Sequence, residues 1–253
     1  MKFAVNVNPA RIECFEKGLV ENFELACSAF CALEKEEFDR SAREIEKKEF
    51  KIISANGFIP PEYAICKDGY DLDALKKYVG KAIERMSYFA CPKIVFGSGK
   101  ARALEEGYGI EKGKNQFFEF LETACEMTDK AGMKLVMEPL NSGETNFLTT
   151  VKEGYDVAMM SGAKNCGVLC DFYHFSLEKE PLEDLEYAKD RLWHIHIACP
   201  DNRVPPKEGD GTDYAPFFNK LKEIGYDSVV TLESKWRGAE EAANSIEYLK
   251  KFI

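Results

Sequence analysis

Glu138, Asp171, His196 and Glu233 close four successive short apolar runs: KLVME at 134–138, GVLCD at 167–171, LWHIHI at 192–197 and SVVTLE at 228–233. Each run has the length and apolar content of a buried strand. An ionisable group at the end of such a strand is disfavoured unless it is paired or coordinated. One divalent cation would neutralise the whole set. Three carboxylates and one imidazole make an oxygen-rich donor set that favours manganese or magnesium, leaves cobalt possible and does not exclude zinc. No run ends in cysteine, so nothing points to a thiolate site.

All three histidines of the chain, His174, His194 and His196, lie beside two of these strand ends. Side chains alternate along a strand, so His194 and His196 share a face, and His194 is expected one layer below His196 as a supporting or core residue. A single glutamate at a strand end is as well explained by a structural salt bridge as by chemistry. Four successive ends carrying such groups favour chemistry.

Four earlier segments also read as strands, KFAV near residue 2, FELA near 23, KIISA near 51 and KIVF near 93, which makes eight in total. Helical stretches separate them. Leu72, Leu75, Val79, Ile83 and Met86 recur at intervals of three and four, as do Phe38, Ala42 and Ile45, and Phe117, Leu121 and Ala124. Gly132 stands where the last of these helices must stop before the fifth strand. Strand–helix alternation requires right-handed parallel crossovers. Eight such units in 253 residues predict an α/β fold, a single (β/α)8 TIM barrel with parallel strands spanning 1–253 as one domain. Pro9 interrupts the first unit. In these barrels the site lies at the carboxyl ends of the strands, where all four residues are expected. The loops GFIPPEY at 57–63 and DNRVPPKEGDG at 201–211 are long enough to fold over that opening.

Lys+Arg 34 against Asp+Glu 44 gives a net charge of −10, which disfavours nucleic acid as a partner and leaves small polar substrates open. The opening MKFAVNVNPARIE has no basic region leading into a long apolar stretch, and no run of about 18 apolar residues occurs. A cytoplasmic protein with no membrane partner is expected. Nine scattered cysteines with no CxxC pair fit reduced core thiols. FGSGKA at 96–101 lacks the full phosphate-loop spacing and reads as a tight turn opening the barrel mouth. Phe58, Tyr173 and Trp236 could wall a sugar pocket, with ordinary packing as the competing reading.

EPLNSGET at 138–145, DFYH at 171–174, HIH at 194–196 and TLE at 231–233 resemble the sugar isomerase and epimerase superfamily with the xylose isomerase-like barrel. The similarity is greatest to its D-tagatose and D-psicose 3-epimerase branch, and SANGFIP, VFGSGKAR and KEIGYD extend it over most of the chain from about residue 50. The resemblance implies Glu138, Asp171, His196 and Glu233 as metal ligands, with Glu138 and Glu233 also the proton-transfer pair. It implies Glu144, His174 and Arg203 as substrate-holding residues, and one divalent ion, manganese first with magnesium or cobalt as alternatives. Ala198 and Cys199 stand where the family carries a GE dipeptide, a departure close to the substrate pocket.

With that ligand set, a cation bound to a carbonyl and a neighbouring hydroxyl would stabilise the enediolate left when a ketose loses a carbon-bound proton. Two glutamates on opposite sides of a planar intermediate would invert a carbon, and same-side return to the adjacent carbon would isomerise instead. The expected partner is a small-molecule sugar, with a homo-oligomer left open. An inosose-type dehydratase on the same site is the alternative. An apurinic endonuclease would need further histidines at the first four strand ends, where none occurs.

Overall fold

A computed structural model describes residues 1–253. Eight parallel strands close into a barrel in chain order: β1 (Lys2–Val7), β2 (Asn22–Ala26), β3 (Lys51–Asn56), β4 (Lys93–Phe96), β5 (Lys134–Met137), β6 (Cys166–Asp171), β7 (Leu192–Ile197) and β8 (Val229–Leu232), with β8 pairing back onto β1. The helices follow their strands. After β2 come α1 (Cys27–Ala32) and α2 (Lys35–Lys47), after β3 comes α3 (Leu72–Tyr88), and after β4 come α4 (Gly99–Arg102) and α5 (Ile110–Lys130). Then follow α6 (Val151–Met160) after β5, α7 (Phe172–Glu178) and α8 (Glu183–Tyr187) after β6, α9 (Ala215–Glu223) after β7 and α10 (Ala239–Leu249) after β8. No helix is long and apolar enough to cross a membrane.

The periodic residues lie on the faces their spacing assigns them. Leu75, Val79 and Met86 of α3, Phe38, Ala42 and Ile45 of α2, and Phe117, Leu121 and Ala124 of α5 are all buried. α5 stops in a double hydrogen bond around Gly132, which takes φ +71° while Met133 N–H donates to Thr128 O at 2.8 Å and Gly132 N–H to Asp129 O at 2.8 Å. The first unit departs from the eightfold pattern. Its β1–β2 connection holds only a 3-10 turn, Pro9–Cys14, because proline at the first position sets the backbone and few residues remain before β2.

The main hydrophobic core lies between the barrel and its helices, where Ile94 and Phe96, Leu135 and Met137, and Val168 and Cys170 point outward. By strand alternation Val95, Val136 and Leu169 point into the lumen, where they form a separate small cluster against Trp193. The rest of the lumen is polar and buried, with Glu24, Ser54, Asn56, His194, His196 and Thr231. Two register shifts shape this lumen: Ile53 is the extra residue where β2 meets β3, and Trp193 the extra residue where β6 meets β7. They set Ser54 across from Glu24, and His196 across from Asp171.

Candidate metal centre

The four strand-end residues come together at the carboxyl end of the barrel, and one donor atom from each lies within 4.8 Å of the others. Glu138 and Glu233 are the first residues past β5 and β8, still held to the sheet because Glu138 N–H donates to Phe96 O and Glu233 N–H to Ile197 O, both at 3.1 Å. Asp171 ends β6 and caps α7: its Oδ1 accepts from Tyr173 N–H at 2.9 Å, which leaves Oδ2 for the cluster. His196 is the penultimate residue of β7. Its Nδ1 lies 3.0 Å from Glu138 Oε1 and 3.4 Å from Glu233 Oε2.

Three of these groups are nearly sealed from solvent, with His196 0 % exposed, Asp171 2 % and Glu138 5 %, while Glu233 is half-buried. Burial pushes the Asp171 carboxyl up to about 7, against the opposing pull of Arg203, and burial likewise raises Glu138. Burial by itself would lower His196, but Glu24, Glu233 and Glu138 surround it and hold it well above the imidazole range. For Glu233 burial is likewise overcome, by His196 and Arg203, which bring the carboxyl down to about 2. Carboxylates packed this closely need positive charge among them, and an oxygen-rich set of three carboxylates and one imidazole nitrogen suits a hard divalent cation. Glu138, Asp171, His196 and Glu233 therefore fit one.

The residues expected around the substrate gather on one side of this cluster. Arg203 Nη2 donates to Asp171 Oδ2 at 3.1 Å and also to Glu233, and Nη1 lies 3.4 Å from Glu144 Oε1. Its guanidinium stands 4.7 Å over the Tyr173 ring. Asn202 and Arg203 both take left-handed backbone, φ 62° and 54°, and Lys235 N–H donates to Arg203 O at 2.8 Å to hold that bend. His174 Nδ1 accepts from the Asn141 backbone N–H at 3.1 Å, so the ring proton belongs on Nε2. That Nε2 is buried, has no hydrogen-bond partner and lies 3.5 Å from Asp171 Oδ2. Burial brings the His174 pKa down to about 3, which keeps the ring neutral.

Two of the three aromatics considered as pocket walls belong to the core. Phe58 packs edge-on against Phe96 at 5.8 Å, and Trp236 is held between Phe15 at 5.2 Å and the Arg11 guanidinium at 3.5 Å. Only Tyr173 borders the site. The FGSGKA stretch is a close-approach turn: a Cβ on Gly97 would stand 2.2 Å from Glu138 Oε2, and one on Gly99 would stand 2.7 Å from Leu140 Cδ1. His194 lies beneath His196 with its ring centroid 5.1 Å away, at 0 % exposure.

Reasoning from strand ends alone passed over a set of polar residues beneath the cluster. Asn56 donates to Glu233, Asn6 Nδ2 donates to Asn56 Oδ1 at 2.8 Å, and Glu24 meets both His194 and His196. The signal was present, since Glu24 is an acid in the middle of the apolar run FELA. Arg102 of α4 was also missed. Its wholly buried guanidinium donates to the carbonyls of Gly97 at 2.6 Å, Glu138 at 2.9 Å and Leu148 at 3.4 Å.

The family model described as "Xylose isomerase-like TIM barrel" matches residues 13–252. Among curated proteins, the chain is 29% identical over 115 residues to a 3-dehydro-D-guloside 4-epimerase from Escherichia coli, a match covering 45% of this chain and 43% of that protein. It is 27% identical over 176 residues to a 2-oxo-tetronate isomerase from Haemophilus influenzae, covering 68% of this chain and 65% of that one. The matched stretch thus spans about half the length of the first curated relatives, 48% and 43%. Among solved structures, a D-psicose 3-epimerase from Clostridium cellulolyticum with D-tagatose superposes with a TM-score of 0.83 at 16% identity, covering 100% of this chain and 99% of the other. A 3-keto-D-glucoside 4-epimerase from Escherichia coli gives a TM-score of 0.81 at 19% identity, covering 99% of each chain. At these identities the superpositions establish the barrel.

Proposed function

Because the chain belongs to the xylose isomerase-like TIM barrel family, we propose that it is a divalent-metal-dependent isomerase that epimerises or isomerises a ketose or ketose derivative. The observation that carries this reading is the pair Glu138 and Glu233, brought from β5 and β8 to within 3.0 and 3.4 Å of the same His196 nitrogen. Glu138, Asp171, His196 and Glu233 hold the cation, with manganese the first choice and magnesium or cobalt the alternatives. When bound, the cation supplies the Lewis acidity that makes the carbon-bound proton beside a ketone labile.

Glu138 and Glu233 reach the cluster from different strands, β5 and β8, so with a planar carbon between them one carboxylate oxygen would take the proton and the other return one to the far side. His174 presents a neutral Nε2–H without a protein partner, the donor a substrate hydroxyl or carbonyl requires. Arg203 and Glu144, paired with each other at 3.4 Å beside Asp171, hold hydroxyls from the rim. The names of two curated relatives, 3-dehydro-D-guloside 4-epimerase and 2-oxo-tetronate isomerase, are those of an epimerase and an isomerase, which supports the class. We place the chain in the cytoplasm as one barrel domain.

The test is incubation of manganese-loaded protein with ketoses, ketose phosphates and inososes in deuterated water, followed by NMR. Deuterium at C3 identifies a 3-epimerase, and deuterium at C1 or C2 an isomerase. Loss of water would make it a dehydratase, and no exchange with any member of the panel would overturn the proposal.

A further inference from the structure

Glu24 is an acid at 0 % exposure in the middle of β2, one layer below the metal centre, and no step described so far uses it. Both of its oxygens are engaged. Oε2 accepts from Ser54 Oγ at 2.6 Å and faces His194 Nε2 at 2.9 Å, while Oε1 faces His196 Nε2 at 2.9 Å and Asn6 Nδ2 at 3.3 Å.

We infer that Glu24 is a positioning residue that holds the proton of His196 on Nε2 and thereby aims the Nδ1 lone pair at the cation; this rests on the function proposed above. A neutral imidazole carries one N–H. Nδ1 of His196 lies against Glu138 and Glu233, and Nε2 lies against Glu24, so a carboxylate at Glu24 decides which nitrogen keeps the proton. His196 Nε2 lies 2.9 Å from Glu24 Oε1 without forming an aligned hydrogen bond, and no other protein atom bonds to it, so Glu24 is the acceptor within its reach. His194 braces the arrangement from the other oxygen. Its Nδ1 has no partner, whereas its Nε2 lies 2.9 Å from Glu24 Oε2, the contact through which the ring meets the carboxylate.

Glu24, His194 and His196 also lie within metal-binding distance of one another. A second ion there is the rival explanation. The three have no solvent exposure, and His196 would have to serve both sites. Glu24 already accepts from Ser54 and Asn6 and faces both imidazoles.

The experiment pairs manganese titration by calorimetry with ring 15N NMR of the magnesium-loaded protein, on wild type and Glu24→Gln. Glutamine keeps the shape but has one acceptor where Glu24 offers two, so one imidazole must move its proton. Wild type should bind one ion per chain with His196 protonated on Nε2 only, and Glu24→Gln should bind about 10- to 100-fold more weakly with the His196 ring signals displaced. Equal affinity in both proteins, or a second ion that disappears in the variant, overturns the inference. Should Glu24→Gln fail to fold, wild-type spectra decide alone, because His196 protonated on Nδ1 overturns it too. Wild type that takes up no manganese would instead sink the functional reading itself, a result distinct from uptake that ignores Glu24.

Discussion

Gly97 and Glu138 approach each other so closely that a methyl group on the glycine would stand 2.2 Å from Glu138 Oε2. The turn after β4 is thus shaped by the carboxylate that follows β5. Gly97→Ala should leave the barrel folded, because the obstructing atom is the end of a flexible side chain, but it must push the Glu138 carboxylate out of the cluster. A displacement near an ångström costs about 100-fold in rate. Steady-state turnover should fall by at least that order while the circular dichroism spectrum stays as in wild type.

Arg102 fixes the backbone behind that same residue. Replacing it by methionine leaves the carbonyls of Gly97, Glu138 and Leu148 buried without their donor, and stability should fall by about 3 kcal/mol. Urea unfolding reads this directly. An unchanged midpoint would mean that other donors reach those carbonyls.

Glu233→Gln retains the shape of the side chain and removes its basicity. Exchange of the substrate's carbon-bound proton with solvent should drop by about 100-fold or more, with the fold intact. Normal exchange in this variant would exclude Glu233 from proton transfer.

Cation binding should add to stability by mass action, about 2.7 kcal/mol at a concentration 100 times the dissociation constant. Manganese should raise the melting temperature and a chelator should reverse the rise. Asp171→Asn, which weakens one of the four donors, should lose most of that response.

Lys93 supplies a pH signature away from the site. Its ammonium is buried at the other end of β4, donates to Trp193 O at 3.1 Å, and burial lowers its pKa from 10.5 to about 8. The folded pKa lies below the unfolded one, so between about 8 and 10.5 the unfolded chain binds the extra proton and stability from this group rises with pH. Below about 8 the buried charge carries its full penalty, about 3 kcal/mol. Lys93→Met should therefore be more stable than wild type at pH 7, with the difference shrinking as pH climbs through that window in denaturant titrations.

Much of the barrel was legible in the chain itself. Periods of two and of three to four mark strands and helices because burial acts on one face of each, and Gly132 marks a helix end because only glycine takes φ +71° without cost. The four donors stood out for a related reason: one ionisable group at the end of an apolar run fits a structural salt bridge as well as chemistry, but four successive runs ending so favour chemistry. The first unit, where Pro9 already interrupted the eightfold pattern, holds a 3-10 turn between β1 and β2.

What the tertiary structure alone decided is everything that depends on register. Ile53 and Trp193 are extra residues at two strand pairings, and by shifting the ladder they bring Ser54 opposite Glu24 and His196 opposite Asp171. Asn56 and Glu233, or Glu24 and His196, are distant in sequence and meet only because the barrel closes. Amino-acid type carries the chemistry each side chain can do, whereas the distance between two such groups is set by strand pairing, which no local pattern encodes.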